Sequence, residues 1–313
     1  MASIKLSRLK PYLRWVILGG TIFFIASAIH QNWQEVAAIR ITTTGYFKLA
    51  IALVVTLLAH IWSGWVWSWI LRELNQPAPG LWSIRVYLTT NLAKYLPGNV
   101  WHFYGRVIAA KNAGFSVAAA TLSVLLEPLL MAAAALAIAL ITGTQTSGLM
   151  QFLCLAVVLI AIHPRFLNPL LQLASRLKKK PQSAQAVQAQ PIQDQAVQIQ
   201  DPIQIRRYPI LPLLGEAGFV ALRGLGFLLT LSALSPIAPT QIPLIFSAFS
   251  LAWMLGLVIP GAPGGIGVFE ATAIALLNSE ISTGTIIGGV ALYRMISILA
   301  EVVGAGLAGV KTR

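Results

Sequence analysis

Acidic residues are scarce in this chain. Nine Asp and Glu stand against 22 Lys and Arg in 313 residues, and charged residues of both signs make up only 10%. Soluble domains carry about 25% charged residues, so this chain cannot cover a water-facing surface, and the soluble globular class is excluded. Cysteine is nearly absent. Cys154 is single and lies within an apolar run, which excludes an intrachain disulfide framework and reads as a small apolar packing residue. The four histidines, at 30, 60, 102 and 163, are scattered, and no HExxH occurs, so the zinc-enzyme pattern is missing. GxxxxGK[ST] is also missing, which excludes a P-loop ATP site. No cofactor and no metal are expected.

Hydrophobic residues make up 57% of the chain, with a mean hydropathy of +0.76. Several apolar runs are long enough to cross a hydrocarbon core of about 30 Å. The sequence therefore predicts an all-α, polytopic helical membrane protein. The net charge of +13 is read not as nucleic-acid binding but as topology signals and contacts to anionic lipid, because the basic residues cluster beside the apolar runs.

The first run, 15–29, follows Lys5, Arg8, Lys10 and Arg14. It reads as an uncleaved anchor rather than a cleaved signal peptide, since further spans follow and need a fixed start. Runs at 47–71, 117–142, 149–163, 209–234, 241–260, 266–277 and 285–310 complete the set, with an ambiguous stretch at 82–110. The first of these ends in Trp62, Trp65, Trp67 and Trp69, read as an interfacial belt. Basic residues concentrate in the N-terminus, in 72–94, in 164–208 and at Lys311 and Arg313, whereas the loops at 143–148 and 235–240 hold none. The positive-inside rule places both termini in the cytoplasm of a cell-membrane protein. An even number of crossings follows. About eight segments fit if 82–110 dips in and returns; six with two re-entrant hairpins keep the same parity. Residues 164–208 contain SRLKKK and a ten-residue Gln-rich unit, present twice at 186–205. Such a polar, Pro-containing repeat cannot bury enough apolar surface to fold, so the chain divides into membrane halves 1–163 and 209–313 joined by a disordered cytoplasmic linker.

Each half contains a helix breaker at membrane depth. The first is in KYLPGNVWHFYGR, 94–106, and the second is in GAPGGIG, 261–267. After each comes a short helix, a turn and a long apolar helix. Arg106 falls in the first short helix and Glu127 in the long one, whereas Glu270 falls in the second short helix and Arg294 in the long one. The layout is repeated and the charge signs are exchanged. A charge near the bilayer centre costs about 2.5–3.5 kcal/mol on insertion scales, so these side chains must face protein or a wet cavity. Glu216 and Arg223, like Arg294 and Glu301, are seven positions apart, two turns along one face. Direct pairing within the helix is too distant, and partners on other helices are expected. Paired breaks point to a binding site in transporters built from repeats. Gly264 and Gly265 would allow close backbone approach, and the helix starting near Val268 would offer free N–H groups to a phosphate. Glu270 there has a plainer role available, that of complementing the helix dipole.

YLPG with Gly105-Arg106 downstream, Glu127 in the next span, PGGIGVFE ending at Glu270, and Tyr293-Arg294 in the last span together give a specific pattern. On these residues the chain resembles the lysylphosphatidylglycerol synthase transmembrane-region family, the flippase half of bacterial multiple peptide resistance factor proteins. The resemblance spans nearly everything outside the Gln-rich linker. The family commonly has Glu-Arg where this chain has Glu127-Pro128, and often a polar or basic residue at the place of Phe269. The resemblance implies two inverted repeats with re-entrant hairpins and movement of an aminoacylated phospholipid between leaflets. It also implies a stand-alone member without the cytoplasmic synthase domain, and hence no enzyme.

The expected function is translocation of an anionic, aminoacylated or glycosylated lipid. Arg106 and Arg294 would hold the phosphate through charge-assisted bonds. Glu127, Glu270 and Glu301 would balance these arginines or bind a cationic headgroup, and Lys94 would attract lipid at the cytoplasmic entrance. His102 is read as a packing residue. The alternative is a scaffold or accessory subunit for an envelope-biosynthesis enzyme. Membrane lipids are the expected partners, nucleic acid is not, and a homo-oligomer is allowed.

Overall fold

A computed structural model describes residues 39–96, 100–143, 148–161, 207–259 and 267–309, with a few further residues in 30–37 and 163–169. The first apolar run, the Gln-rich repeat, Lys311, Arg313, both Pro-Gly breaks (97–99 and 260–266) and with them Gly264 and Gly265 lie outside the described residues. The described residues are all-helical: α1 Thr43–Glu73, α2 Gly80–Asn91 followed by a 3-10 turn Leu92–Tyr95, α3 Trp101–Asn112, α4 Val117–Thr142, α5 Gly148–Ala161, α6 Ile210–Leu234, α7 Ile242–Val258, α8 Val268–Leu277 and α9 Thr283–Gly309.

Among the described residues, five helices are long and apolar enough to cross a membrane: Thr43–Glu73, Val117–Thr142, Ile210–Leu234, Pro239–Val258 and Thr283–Gly309. This is a multi-pass membrane protein. The apolar stretches read from sequence match these helices to within two or so residues at most ends, the exception being α1, which begins four residues earlier. The 12 residues each of α2 and α3 and the 10 of α8 rise only about 15–18 Å, roughly half the hydrocarbon thickness. α5 is intermediate, at 14 residues.

Local chemistry sets the ends. The Thr42 hydroxyl caps α1 by accepting the Gly45 N–H at 3.1 Å. α3 stops where Gly114 takes φ +84°, and the Phe115 N–H turns back to the Ala110 carbonyl at 3.0 Å, a left-handed ending that favours glycine. Ser116 then caps α4. Pro128 sits inside α4 directly after Glu127. It removes one backbone donor, a loss that packed membrane helices tolerate.

α1 and α6 form the most extensive contact and lie antiparallel. Small residues let them approach. A Cβ on Gly45 would lie 2.8 Å from the Ala233 carbonyl oxygen, and one on Gly215 would lie 2.7 Å from Val66. This is the packing expected where lipid tails are as apolar as the side chains, so that close van der Waals fit drives association. α2 packs on α1 and α9, and α7 packs on α6 and α4. α3 lies on α2 and α4, and α8 lies on α7 and α9. A core of Phe227, Phe249, Phe269 and Tyr293, with ring centroids 5.5–5.8 Å apart, fills the space between α6, α7, α8 and α9. The distribution is inside-out: Val54, Leu58, Leu125, Leu129, Leu299 and Val302 are exposed, while Glu127, Glu216, Arg106, Arg223 and Glu301 are buried.

The tryptophan belt holds only in part. Trp62 and Trp65 are exposed at the helix surface, as a belt requires. Trp67 is fully buried and donates its ring N–H to the Ser123 hydroxyl on α4 at 3.1 Å. An indole at a span end has one polar atom to satisfy, and a neighbouring helix serves as well as the headgroup region.

Candidate functional site

Three ionic groupings occupy the interior, and each is assembled from different helices. On α3, Arg106 donates through Nη1 to Glu127 Oε2 on α4. Both side chains are almost wholly buried, at 3% and 2% exposure. The guanidinium also lies over three rings, with its Cζ 4.5 Å from the Tyr87 centroid, 5.5 Å from Phe103 and 5.8 Å from Trp67. Cation–π contact of this kind replaces part of the lost hydration. Glu216 on α6 lies within electrostatic reach of Glu127 and Arg106. It is fully buried, and neither of its carboxyl oxygens has a hydrogen-bond partner among the described residues.

The second grouping repeats the first with signs exchanged. On α8, Glu270 accepts Arg294 Nε from α9 at 2.5 Å through Oε1. Its Oε2 accepts the Gly267 N–H at 2.5 Å, where the backbone takes φ +87° before entering the helix. Glu270 is therefore both the carboxylate that caps its own helix start and the partner of Arg294. The dipole role and the ion-pair role coexist on separate oxygens. This pair is more open, with side chains 30% and 12% exposed.

The third grouping joins the segment after α2 to α9, α1 and α6. Lys94, in the 3-10 turn after α2, reaches Glu301 Oε1 on α9 at 2.5 Å, with 22% of the lysine side chain exposed and 1% of the glutamate. His60 Nε2 on α1 lies 3.3 Å from the same oxygen and 3.3 Å from Arg223 Nη1 on α6. One ring nitrogen thus faces an acceptor and a donor, and its tautomer decides which it serves. Arg223 is held between the Trp253 and Tyr293 rings, each 5.0 Å from its Cζ, and the Tyr293 hydroxyl donates to the Arg223 carbonyl oxygen at 3.0 Å.

A family model described as the lysylphosphatidylglycerol synthase TM region matches residues 13–304. The chain belongs to the lysylphosphatidylglycerol synthase transmembrane-region family. Among curated proteins none matches the chain.

The sequence-derived residues of this family member fall into these groupings as follows. Arg106 and Glu127 meet, Glu270 and Arg294 meet, and Lys94 meets Glu301. Gly264 and Gly265 lie outside the described residues. Glu301 finds its partners on other elements, as the seven-residue spacing from Arg294 demands, and Arg223 does likewise through His60. His102 is buried and stacks on Phe103, with ring centroids 3.9 Å apart. Three residues absent from the sequence-derived site belong to the groupings: His60, Arg223 and Glu216. The available signal was an ionisable side chain well inside an apolar run, which marks a functional candidate by default.

Proposed function

We propose that this protein is a flippase-like lipid translocase that moves an anionic, aminoacylated or glycosylated lipid between the leaflets of the cell membrane. Its family is associated with flippase-like lipid movement. One observation carries the reading: the short helices α3 and α8 are each tied to the following long helix by an ion pair, and the two pairs have opposite polarity.

Short helices that stop at half the membrane thickness, preceded by Pro-Gly breaks, read as re-entrant hairpins. Two repeats are supported by the contact pattern. Exchanging α1 with α6, α2 with α7, α3 with α8 and α4 with α9 turns each packed pair among these helices into another packed pair. The halves 1–163 and 209–313, the intervening linker and the cytoplasmic termini follow from charge distribution.

In this mechanism the carboxylates keep the cations neutralised while no lipid is bound. Arg294 and Lys94 are the more exposed bases and take the lipid phosphate first, through charge-assisted bonds. Glu270 and Glu301 are released as they do so, and become available to a cationic headgroup. Arg106, closed against Glu127, receives the phosphate only after α3 and α4 part.

The test is translocation in proteoliposomes with labelled anionic, aminoacylated and glycosylated lipids, comparing wild type with Arg106→Ala and Glu270→Ala. Movement of one class that both variants lose supports the reading and names the substrate class. Absence of movement by inserted, folded protein overturns it in favour of an accessory subunit for an envelope-biosynthesis enzyme. Wild-type rates in both variants would overturn the site assignment.

A further inference from the structure

The charges around Arg106 do not balance. One guanidinium serves two buried carboxyl groups: Glu127 on α4, which it bonds, and Glu216 on α6, which lies within electrostatic reach but outside bonding distance. Only Glu127 is bonded to it; both oxygens of Glu216 are buried without a hydrogen-bond partner among the described residues, and the residue is 0% exposed. With both acids ionised the cluster would carry a net negative charge in a medium that solvates none of it. Among the described residues no cation bonds Glu216, so we assign the balancing positive charge to a ligand, and the surroundings limit its size. The Glu216 oxygens have no accessible surface for a hydrated ion. No group of three or more His, Cys, Asp or Glu able to hold a metal occurs among the described residues. A proton is the cation that fits.

We propose that Glu216, together with Glu127 and Arg106, forms a proton-binding site. While Glu127 holds Arg106, a proton sits on a Glu216 carboxyl oxygen, and the cluster is neutral. When Arg106 loses Glu127, Glu216 gives that proton to water and becomes the counter-charge. The O–H bond on Glu216 breaks as a new O–H bond forms on a water that enters when α3 and α4 part, and the reverse transfer reloads the site. The ionisable groups within electrostatic reach of Glu216 are Glu127 from α4, Arg106 from α3 and Tyr87 from α2. From α1, the neighbours at this level are Val66, Trp69 and Trp62, which meet Gly215 and Gly218 beside it; the α1 histidine, His60, faces Glu301 and Arg223. α7 has no ionisable side chain. The charged residues of α9, Arg294 and Glu301, are engaged with Glu270, Lys94 and His60.

This site exists whether or not the protein moves lipid; only its use in coupling rests on the translocase reading. Infrared difference spectroscopy of the purified full-length protein tests the site itself. Wild type should show a deuterium-sensitive carboxylic-acid carbonyl band at neutral pH, and Glu216→Gln should lack it. Glu127→Gln should lack it too, because Glu216 must then ionise to match Arg106. An acid that merely fills space would keep its band in Glu127→Gln, and that result overturns the proposal, as does a wild-type spectrum without the band. Glu127→Gln also decides the question if Glu216→Gln does not fold. The coupling arm uses proteoliposomes with an imposed pH gradient. Wild-type lipid movement should respond to the gradient and Glu216→Gln movement should not. Movement equally indifferent to the gradient in both overturns coupling, whereas absence of all lipid movement sinks the translocase reading and leaves the infrared result standing.

Discussion

Lys94 meets Glu301 at 2.5 Å across 207 positions of sequence. The lysine stands just before the first Pro-Gly break and the glutamate stands in the last helix, so this contact adds an ionic tie to the helix packing between distant parts of the chain. Glu301 is 1% exposed and has His60 as its second neighbour. Removing the lysine therefore leaves a buried carboxylate with His60 and the Tyr95 hydroxyl as its remaining polar neighbours and no full positive charge bonded to it.

Lys94→Met should destabilise the protein by about 2–3 kcal/mol, below the roughly 3–5 kcal/mol typical of a broken buried pair because the lysine is partly solvated. Glu301→Gln in the same background should recover part of that loss. A double-mutant cycle on thermal unfolding in detergent measures the coupling. A coupling energy of zero would show that the two side chains do not stabilise one another.

The two reversed ion pairs should separate stability from transport. Arg106→Ala strands Glu127 and is expected to cost about 3–5 kcal/mol. Arg294→Ala acts on a more open pair and should cost about 1 kcal/mol, whereas Glu270→Ala also removes the cap on Gly267 and should cost about 1–2 kcal/mol. All three variants should remain inserted, since insertion is set by the apolar helices, and all three should reduce lipid movement to background. Unfolding midpoints measured beside transport rates check the split.

The seam between α1 and α6 depends on missing side chains. Gly215→Ala places a methyl group 2.7 Å from Val66 and 2.8 Å from Trp69, and overpacking should cost about 1–3 kcal/mol. Gly306→Ala, with nothing within 4 Å, should be neutral or slightly stabilising. Equal unfolding temperatures for the two variants would refute the close-packing account of the seam.

The Gln-rich repeat offers a test at the level of sequence. Deleting 183–204 should leave insertion and lipid movement near wild type, because a segment too polar to bury a core contributes no packing. Loss of activity with unchanged stability would instead mark the repeat as a docking segment for a partner.

The spans were legible because crossing a membrane is a local demand. A run such as 117–142 must be apolar throughout, and α4 occupies those residues. The ionic site was legible in part for the same reason. Arg106, Glu127, Glu270 and Arg294 stand out against apolar surroundings, but their spacing did not say that Arg106 would meet Glu127 or Glu270 would meet Arg294, 21 and 24 positions away. His60 did not stand out as a partner, because nothing in a histidine's own neighbourhood says that Arg223, 163 positions away, will lie against it.

The sequence by itself determined the membrane class, the extent of the five long apolar helices and the opposite order of charges at Arg106/Glu127 and Glu270/Arg294. These follow from hydropathy and spacing, which each segment carries alone. The tertiary structure decided which faces turn inward and which charges meet. In water an inward face is marked by its hydrophobicity, but in lipid both faces are apolar. On α1 the buried Val66 and Trp67 and the exposed Val54 and Trp65 look alike in sequence, and only the fit of Gly215 against Val66 and of Trp67 against Ser123 selects between them.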